Sequence, residues 1–427
     1  MIRKTDAGLP PSSIWRNRNF TLFFSAQIIS LLGSGVTTIC LALYLHQLVG
    51  GASAAAAIGN ALMLRILAFL LFSQLAGVIA DRVDRKKILI AADITRFGLL
   101  ALFPFTESVW QIYALIFAIN AATAFFTPTF EAALPEVVGQ EHYVKALSFS
   151  RIATDVEAVA APVLAGLLVS FVGLRWAFWF DAATYLASAG LVILGTIRLR
   201  AGKTEKLSLQ KFFAELGSGT RILLREASLR RALVLSFAEA TAGAAAIVAT
   251  VVYVRDVLFL GETAFILTMA ALGLGSTVSA LLLSQFTGRY ESNSGSPAAL
   301  HGKRHRWTEF ALVAGGVLLG LLLLPGVWQP VIGLFAMLWF FNGAGQALIA
   351  ISSSTLLAEH TKDSERGRVY AAYFAWTHGF WLITYPAIGH GTSAFGAPLT
   401  FTLAGMVCLV VAFIAFFRRQ PSTDHAH

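Results

Sequence analysis

Twelve stretches of the chain, each long and apolar enough to cross a lipid bilayer, decide what it can fold into. A membrane helix needs roughly 20 mostly apolar residues. Such runs fall at 20–46, 54–80, 88–106, 110–134, 146–172, 176–197, 231–257, 262–286, 307–324, 330–355, 366–390 and 397–417. The 427 residues are 57% hydrophobic and only 13% charged, whereas a soluble domain is about 25% charged. Several soluble domains in a chain of this length would need far more polar surface. The first run begins too far in, and is too long, for a secretory signal peptide, and no small-residue cleavage site follows it. Cys40 and Cys408 are the two cysteines, both in apolar runs. They exclude a disulfide scaffold and a thiolate metal cluster. The expected class is an all-α membrane protein of twelve transmembrane helices.

The basic residues orient those helices. The 32 Lys and Arg outnumber the 23 Asp and Glu, for a formal net charge of +9. With an even number of spans both termini lie on one side. All the basic residues fall on that side except Arg65 and Arg96 within spans, and Arg175 and Arg255 on the opposite side. The positive-inside rule therefore places both termini in the cytoplasm of a multi-pass protein of the cell (inner or plasma) membrane. The basic excess faces anionic lipid heads, and no nucleic-acid partner is expected.

The longest loop, 198–230, divides the spans six and six. The reading is an N-terminal bundle at 1–197, a cytoplasmic linker at 198–230 and a C-terminal bundle at 231–427. Within the linker Leu209, Phe212, Phe213, Leu216 and Leu223 recur at helical spacing among Lys211, Arg221 and Arg225, which predicts an amphipathic helix on the membrane face. A faint repeat relates Pro162-Val163-Leu164-Ala165-Gly166 to Pro386-Ala387-Ile388-Gly389. Two six-helix pseudo-symmetric bundles related by a parallel repeat suit a transporter with its site between them.

The loop after the second run reads Gly77-Val78-Ile79-Ala80-Asp81-Arg82-Val83-Asp84-Arg85-Lys86-Lys87. Gly77 allows a close helix approach. Asp81 at the membrane boundary can pair with the N-terminus of another helix, and Arg82 and Arg85 can reach carboxylates or lipid phosphates. A loop that only fixed topology would need the positive charges alone, so the spacing points to a latch that holds one state and releases in the other.

This loop resembles the signature of the major facilitator superfamily, Gly-x-x-x-Asp-Arg-x-Gly-Arg-Arg/Lys, with Asp84 at the second glycine. The drug:proton antiporter branch, with macrolide efflux proteins and the enterobactin exporter, is the most similar. Further similarity lies in Asn17-Arg18-Asn19-Phe20, Leu64-Arg65, Asp93-Ile94-Thr95-Arg96, Phe126-Thr127-Pro128, Phe178-Trp179-Phe180-Asp181 and Arg366-Gly367-Arg368. The resemblance implies the twelve-helix fold of that superfamily and secondary transport. There are departures. The antiporter signature of span 5 keeps Pro162 and Gly166 but places Glu157 where its first glycine stands. The second-half copy of the loop motif is reduced to Gly288-Arg289, and the Arg of span 4 common in drug antiporters is absent.

A charge inside the hydrocarbon costs about 2.5–3.5 kcal/mol on insertion scales and usually faces a cavity or a partner. At about 1.5 Å per residue, Arg65, Glu157, Glu239 and His378 lie roughly 12 to 22 Å into their spans, with Asp155 beside Glu157. Asp155 and Glu157 cannot share a helix face, so at most one enters the cavity. Glu157 with Arg65 is the favoured pair, either coupling protons to opening or holding spans 2 and 5 together. His378 either titrates near neutral pH or packs in the core. Asp93 and Arg96 can pair at i,i+3 and, with Glu131, extend the gating cluster. Gln27, Asn120, Asn342, Gln346 and Trp376 are candidates for the substrate pocket, since a few polar anchors in an apolar cavity suit an amphipathic molecule.

No Gly-x-x-x-x-Gly-Lys-Ser/Thr occurs, so ATP is not expected to drive transport. No cofactor is expected, and no metal site, since His425 and His427 belong to a tail. The reading is a monomeric, non-enzymatic secondary transporter. Its partners are protons, the lipid bilayer and an amphipathic small molecule such as a macrolide-like drug or a siderophore. A lipid or lysophospholipid transporter, or an importer, is the alternative, and a non-transporting sensor or scaffold comes after that.

Overall fold

The computed structural model describes residues 14–80, 82–196, 209–293, 297–362 and 364–417, and among them every regular element is helical. The first six long helices are α1 (Arg18–Val49), α2 (Ser53–Ala80), α3 (Arg85–Ala101), α4 (Val109–Val138), α5 (Tyr143–Val172) and α6 (Leu174–Leu194). Then come α7 (Leu209–Arg225) and α8 (Ala227–Ala244). Two π-helical segments, Ala245–Ala249 and Tyr253–Val257, flank the single turn α9 (Thr250–Val252) and carry the α8 rod on to Val257. The remaining helices are α10 (Glu262–Asn293), α11 (Pro297–Leu323), α12 (Ile332–His360), α13 (Arg366–Phe395) and α14 (Ala397–Phe417).

Eleven of these are long and apolar enough to cross a membrane by length and composition. α13 is the twelfth long rod at 30 residues. Its apolar character is diluted by Tyr370, Tyr373, Trp376, His378, Trp381, Tyr385 and His390. It packs between α2, α7 and α8; of these side chains Tyr385 is buried, while Tyr370, Trp376 and His390 stay exposed.

The helix starts follow from local chemistry. Asn17 caps α1 by accepting from the backbone N–H of Asn19 and Phe20. The same side chain donates to the Val137 carbonyl at the end of α4. Asn19 accepts from Thr196 beyond α6. Asp84 caps α3 through the Lys86 N–H at 2.9 Å, so α3 starts ahead of its apolar run. The turns from α5 to α6 and from α13 to α14 each use a glycine at positive φ, Gly173 and Gly396, which only a residue without Cβ adopts cheaply. Each follows a helix with one internal proline, Pro162 and Pro386.

In the first half α1 packs on α5 and α6, α2 on α4, and α3 on α4 and α6. In the second half α8 packs on α12, α13 and α14, α11 on α12 and α14, and α10 on α12. The halves meet where α2 faces α13 and where α5 faces α10. Small residues allow this approach. A Cβ on Gly59 would strike the Tyr385 carbonyl, one on Gly389 would lie 2.6 Å from the Ala55 carbonyl oxygen, and one on Gly273 would strike the Ala158 carbonyl. Gly166 faces Ile266 across the same boundary, and Pro162 is buried on the same helix. α7 lies across α13, with Gly219 against the Arg368 carbonyl. Along α7, Leu223 is buried while Glu215, Arg221 and Arg225 are exposed. Phe212, Phe213 and Lys211 have side chains outside the described set, as does the linker stretch 197–208.

Candidate functional site

The densest polar construction at membrane depth is built on α1 of the first half. Two glycines of α1 open space for two carboxylates from neighbouring helices. A Cβ at Gly33 would collide with Asp181 Oδ1 and Thr184 Oγ1 from α6. One at Gly35 would lie 2.8 Å from Glu157 Oε1 from α5. Asp181, 1% exposed, accepts from Thr37 at 2.6 Å and from Thr184 at 3.0 Å. Glu157 is half-buried. Arg65 of α2 donates to Thr38 Oγ1 at 3.0 Å and lies within Coulombic reach of both Glu157 and Asp181. Among the described residues no ion pair joins it to either.

From there the polar line runs towards the face that carries the chain termini. Ser34 meets the Tyr185 hydroxyl at 3.0 Å. The Tyr185 ring is 4.3 Å from the Arg96 guanidinium, which Phe126 covers on another side, also at 4.3 Å. Arg96 and Asp93 form a fully buried ion pair, and Ser188 donates to Asp93 at 2.8 Å. Every charged member of this line thus has a partner or a π face, as buried charges require.

Arg85 and Lys86 knit the first half together at the terminal face. Arg82 is exposed. Arg85 pairs with Glu136 and donates to the Ala132 carbonyl, both on α4. Lys86 donates to the Ile193 and Gly195 carbonyls at the end of α6, where a cation suits the helix dipole. Glu136, not Glu131, is therefore the α4 partner of Arg85. Glu131 is exposed, and the structure does not bring it to Asp93 and Arg96. Asp81 lies outside the described residues, as does the side chain of Asp155. Gly77 lies in the last turns of α2.

The remaining candidates separate. Gln346 donates to Asn342 at 2.7 Å, and a Cβ on Gly243 would strike the Trp381 ring and lie 3.2 Å from Gln346 Oε1. These form one polar, aromatic spot on α8, α12 and α13. Gln27 accepts from Ser150 at 2.9 Å. Asn120 is spent on its own helix, donating to Ile116. Trp376 donates to Thr220 of α7, so it ties the linker helix down. His378 has Nδ1 2.9 Å from the Phe374 carbonyl and stacks on Phe69 of the opposite half at 6.1 Å between centroids. Glu239 is half-buried in α8, one helix turn from Ser236, which bonds Tyr373.

A second polar group closes the opposite face. His46 near the end of α1 holds both oxygens of Asp256 at 3.0 and 3.1 Å, and Gln47 donates to Glu262 at 2.7 Å. Both contacts cross between halves. Sequence reading missed these residues, and Asp181 as a central group, because each depends on a partner far along the chain.

A sequence model of the Major Facilitator Superfamily matches residues 23–300 and 300–427. Macrolide efflux protein A of Streptococcus pyogenes is 26% identical over 220 residues, which cover 50% of this chain and 53% of that protein. The chain thus spans about half the length of that relative. Multidrug resistance protein MdtG of Dickeya zeae (strain Ech586) is 26% identical over 366 residues, 83% of this chain and 84% of that protein. Among solved structures, a POT family transporter in complex with 5-aminolevulinic acid superposes with a TM-score of 0.73 at 11% identity, covering 94% of this chain and 96% of that one. That likeness is one of fold.

Proposed function

Because this chain belongs to the major facilitator superfamily, we propose that it is a proton-driven exporter of amphipathic small molecules, working by alternating access between its two halves. Membership makes it a multi-pass membrane transporter and not an enzyme. The single observation that carries the finer reading is the pair of membrane-depth carboxylates, Asp181 and Glu157, cradled by Gly33 and Gly35 with Arg65 within reach of both. Ionisable groups at that depth are costly and are functional by default. In this reading Arg65 balances whichever carboxylate is ionised. Proton arrival at Glu157 or Asp181 removes the charge that Arg65 balances, and the change of charge biases one packing of the halves over the other.

The substrate enters from the terminal face, which the distribution of basic residues places in the cytoplasm. Asn342, Gln346 and Trp381 supply polar and aromatic anchors in the second half. The resemblance to relatives named for macrolide efflux and multidrug resistance supports a macrolide-like drug as the substrate class, with a siderophore as the other amphipathic candidate.

Proteoliposomes carrying the full-length protein test this with a radiolabelled macrolide. Accumulation is expected to follow an imposed pH gradient and to collapse with a protonophore. Glu157→Gln and Asp181→Asn are each expected to lower gradient-driven transport at least tenfold while leaving substrate exchange measurable. Equal rates with and without the gradient, or wild-type coupling in both variants, would reject the proposal.

A further inference from the structure

At the terminal face, away from the central network, three possible metal ligands converge between α11 and α12. His305 comes from α11, and Glu359 and His360 are the last two residues of α12. Their ligating atoms all lie within 4.8 Å of one another, and the two imidazole rings are 4.9 Å apart. We propose that His305, Glu359 and His360 form a binding site for a divalent transition-metal ion of the zinc class.

The surroundings of the two imidazoles carry this. A histidine that binds metal through one nitrogen almost always donates its other N–H to a carbonyl or carboxylate, which fixes tautomer and ring orientation. His360 Nδ1 is 3.2 Å from the Leu356 carbonyl oxygen. That oxygen can only accept, so Nδ1 is the donor and Nε2 is the nitrogen left to face a metal. His305 Nε2 lies 3.4 Å from Glu309 Oε1, so a ring that binds metal through Nδ1 turns its other nitrogen to that carboxylate. His305 Nδ1 is buried without a hydrogen-bond partner among the described residues. A buried polar atom left unmatched calls for an explanation, and a metal ion supplies one. The outer shell is itself anchored, because Glu309 is held by Arg231 and by Ser228, both from α8. The pairing with Glu309 also occupies Arg231, which would otherwise oppose a cation. The carbonyl end of α12 adds partial negative charge beside Glu359 and His360.

Two imidazoles and one carboxylate suit zinc, cobalt or nickel far better than magnesium or calcium. Bonds of about 2.0–2.2 Å in a tetrahedral site leave ligand atoms roughly 3.4 Å apart, so atoms within 4.8 Å of one another need only a small closure, with a fourth position open to water. All three ligands belong to the second half. The ion therefore clamps the ends of α11 and α12 without bridging the halves, and it strengthens that bundle while leaving the rocking motion free.

The test uses full-length protein purified through an affinity tag that contains no histidine. Zinc alone is titrated calorimetrically, and cobalt serves as a spectroscopic probe. Wild type is expected to bind one tight equivalent, to give the visible absorption of four-coordinate cobalt, and to melt at a higher temperature with zinc. H305A, H360A and E359Q are each expected to weaken zinc at least tenfold and to abolish the cobalt band. Melting without zinc, and elution as a single species, show that each variant is folded. The H425A/H427A variant is expected to bind as wild type does. Unchanged binding in folded H305A and H360A, or loss of binding in the tail variant, would overturn the proposal.

Discussion

Gly33 is the position where the smallest change is expected to do the most damage. Its missing side chain makes the space into which Asp181 and Thr184 project, and Asp181 is pinned on its other side by Thr37. Gly33→Ala must push a buried carboxylate off its hydrogen bonds, and a buried polar group left unpaired costs about 1–3 kcal/mol. The variant is expected to melt lower in detergent and to lose coupled transport. Gly98 in α3 is the control, since a Cβ there meets nothing within 4 Å. Gly98→Ala is expected to keep transport and to stabilise by up to about 1 kcal/mol, the helix-propensity difference. Equal melting of the two variants would show that the carboxylate does not depend on the gap. The sequence placed Glu157 and Arg65 at membrane depth, but the central role of Asp181 was not legible. Its hydrogen-bond partner Thr37 lies 144 residues earlier, and no local pattern reports such a pairing. The same holds for Arg85, where the loop left carboxylates and lipid phosphates both open as partners, and the structure supplies Glu136.

At the scale of elements, apolar runs locate helices well because the bilayer fixes their length. Their ends are set by other chemistry. α3 was expected at 88–106; Asp84 starts it at Arg85, and it gives way to a short 3-10 turn at Phe103–Phe105. α10 outruns its expected end at 286 to reach Asn293, because a helix leaving the membrane keeps its backbone bonds without needing apolar side chains. The contact between the end of α1 and the Tyr253–Val257 segment was invisible in the sequence, since nothing marks His46 and Asp256 as neighbours. It makes a prediction at this scale. Asp256→Asn removes the charge that grips His46 across the halves. A charge-assisted hydrogen bond contributes roughly 1.5–3 kcal/mol, enough to move a two-state balance about tenfold or more. Spin-label distances across the opposite face are expected to show a larger population open on that side. An unchanged distance distribution would mean that the contact reports the state without holding it.

At the scale of the whole molecule, the described contacts between the halves lie towards one face. Among the described residues, the close approaches between halves run from Phe69 against His378, near the membrane middle, outward to Gly59 against Tyr385, Gly389 against Ala55 and the His46–Asp256 and Gln47–Glu262 contacts. The face opposite the termini is thus shut, while Arg85 and Lys86 at the terminal face bond within their own half. Alternating access requires the shut face to part. If it does, tethering it must stop transport without damage to either bundle. Gln47 and Glu262 offer the tether, because their side chains meet at 2.7 Å from opposite halves. Both native cysteines, Cys40 and Cys408, are buried, so Gln47→Cys with Glu262→Cys can be bridged by a short bis-methanethiosulfonate reagent with little background. The bridged protein is expected to lose more than nine-tenths of its transport and to regain it with dithiothreitol, whereas the unbridged double variant transports. A bridge placed instead between two helices of one half, such as α11 and α12, is expected to leave transport intact. Undiminished transport through the bridged far face would mean that the halves do not separate there, and the rocking mechanism would fall with it.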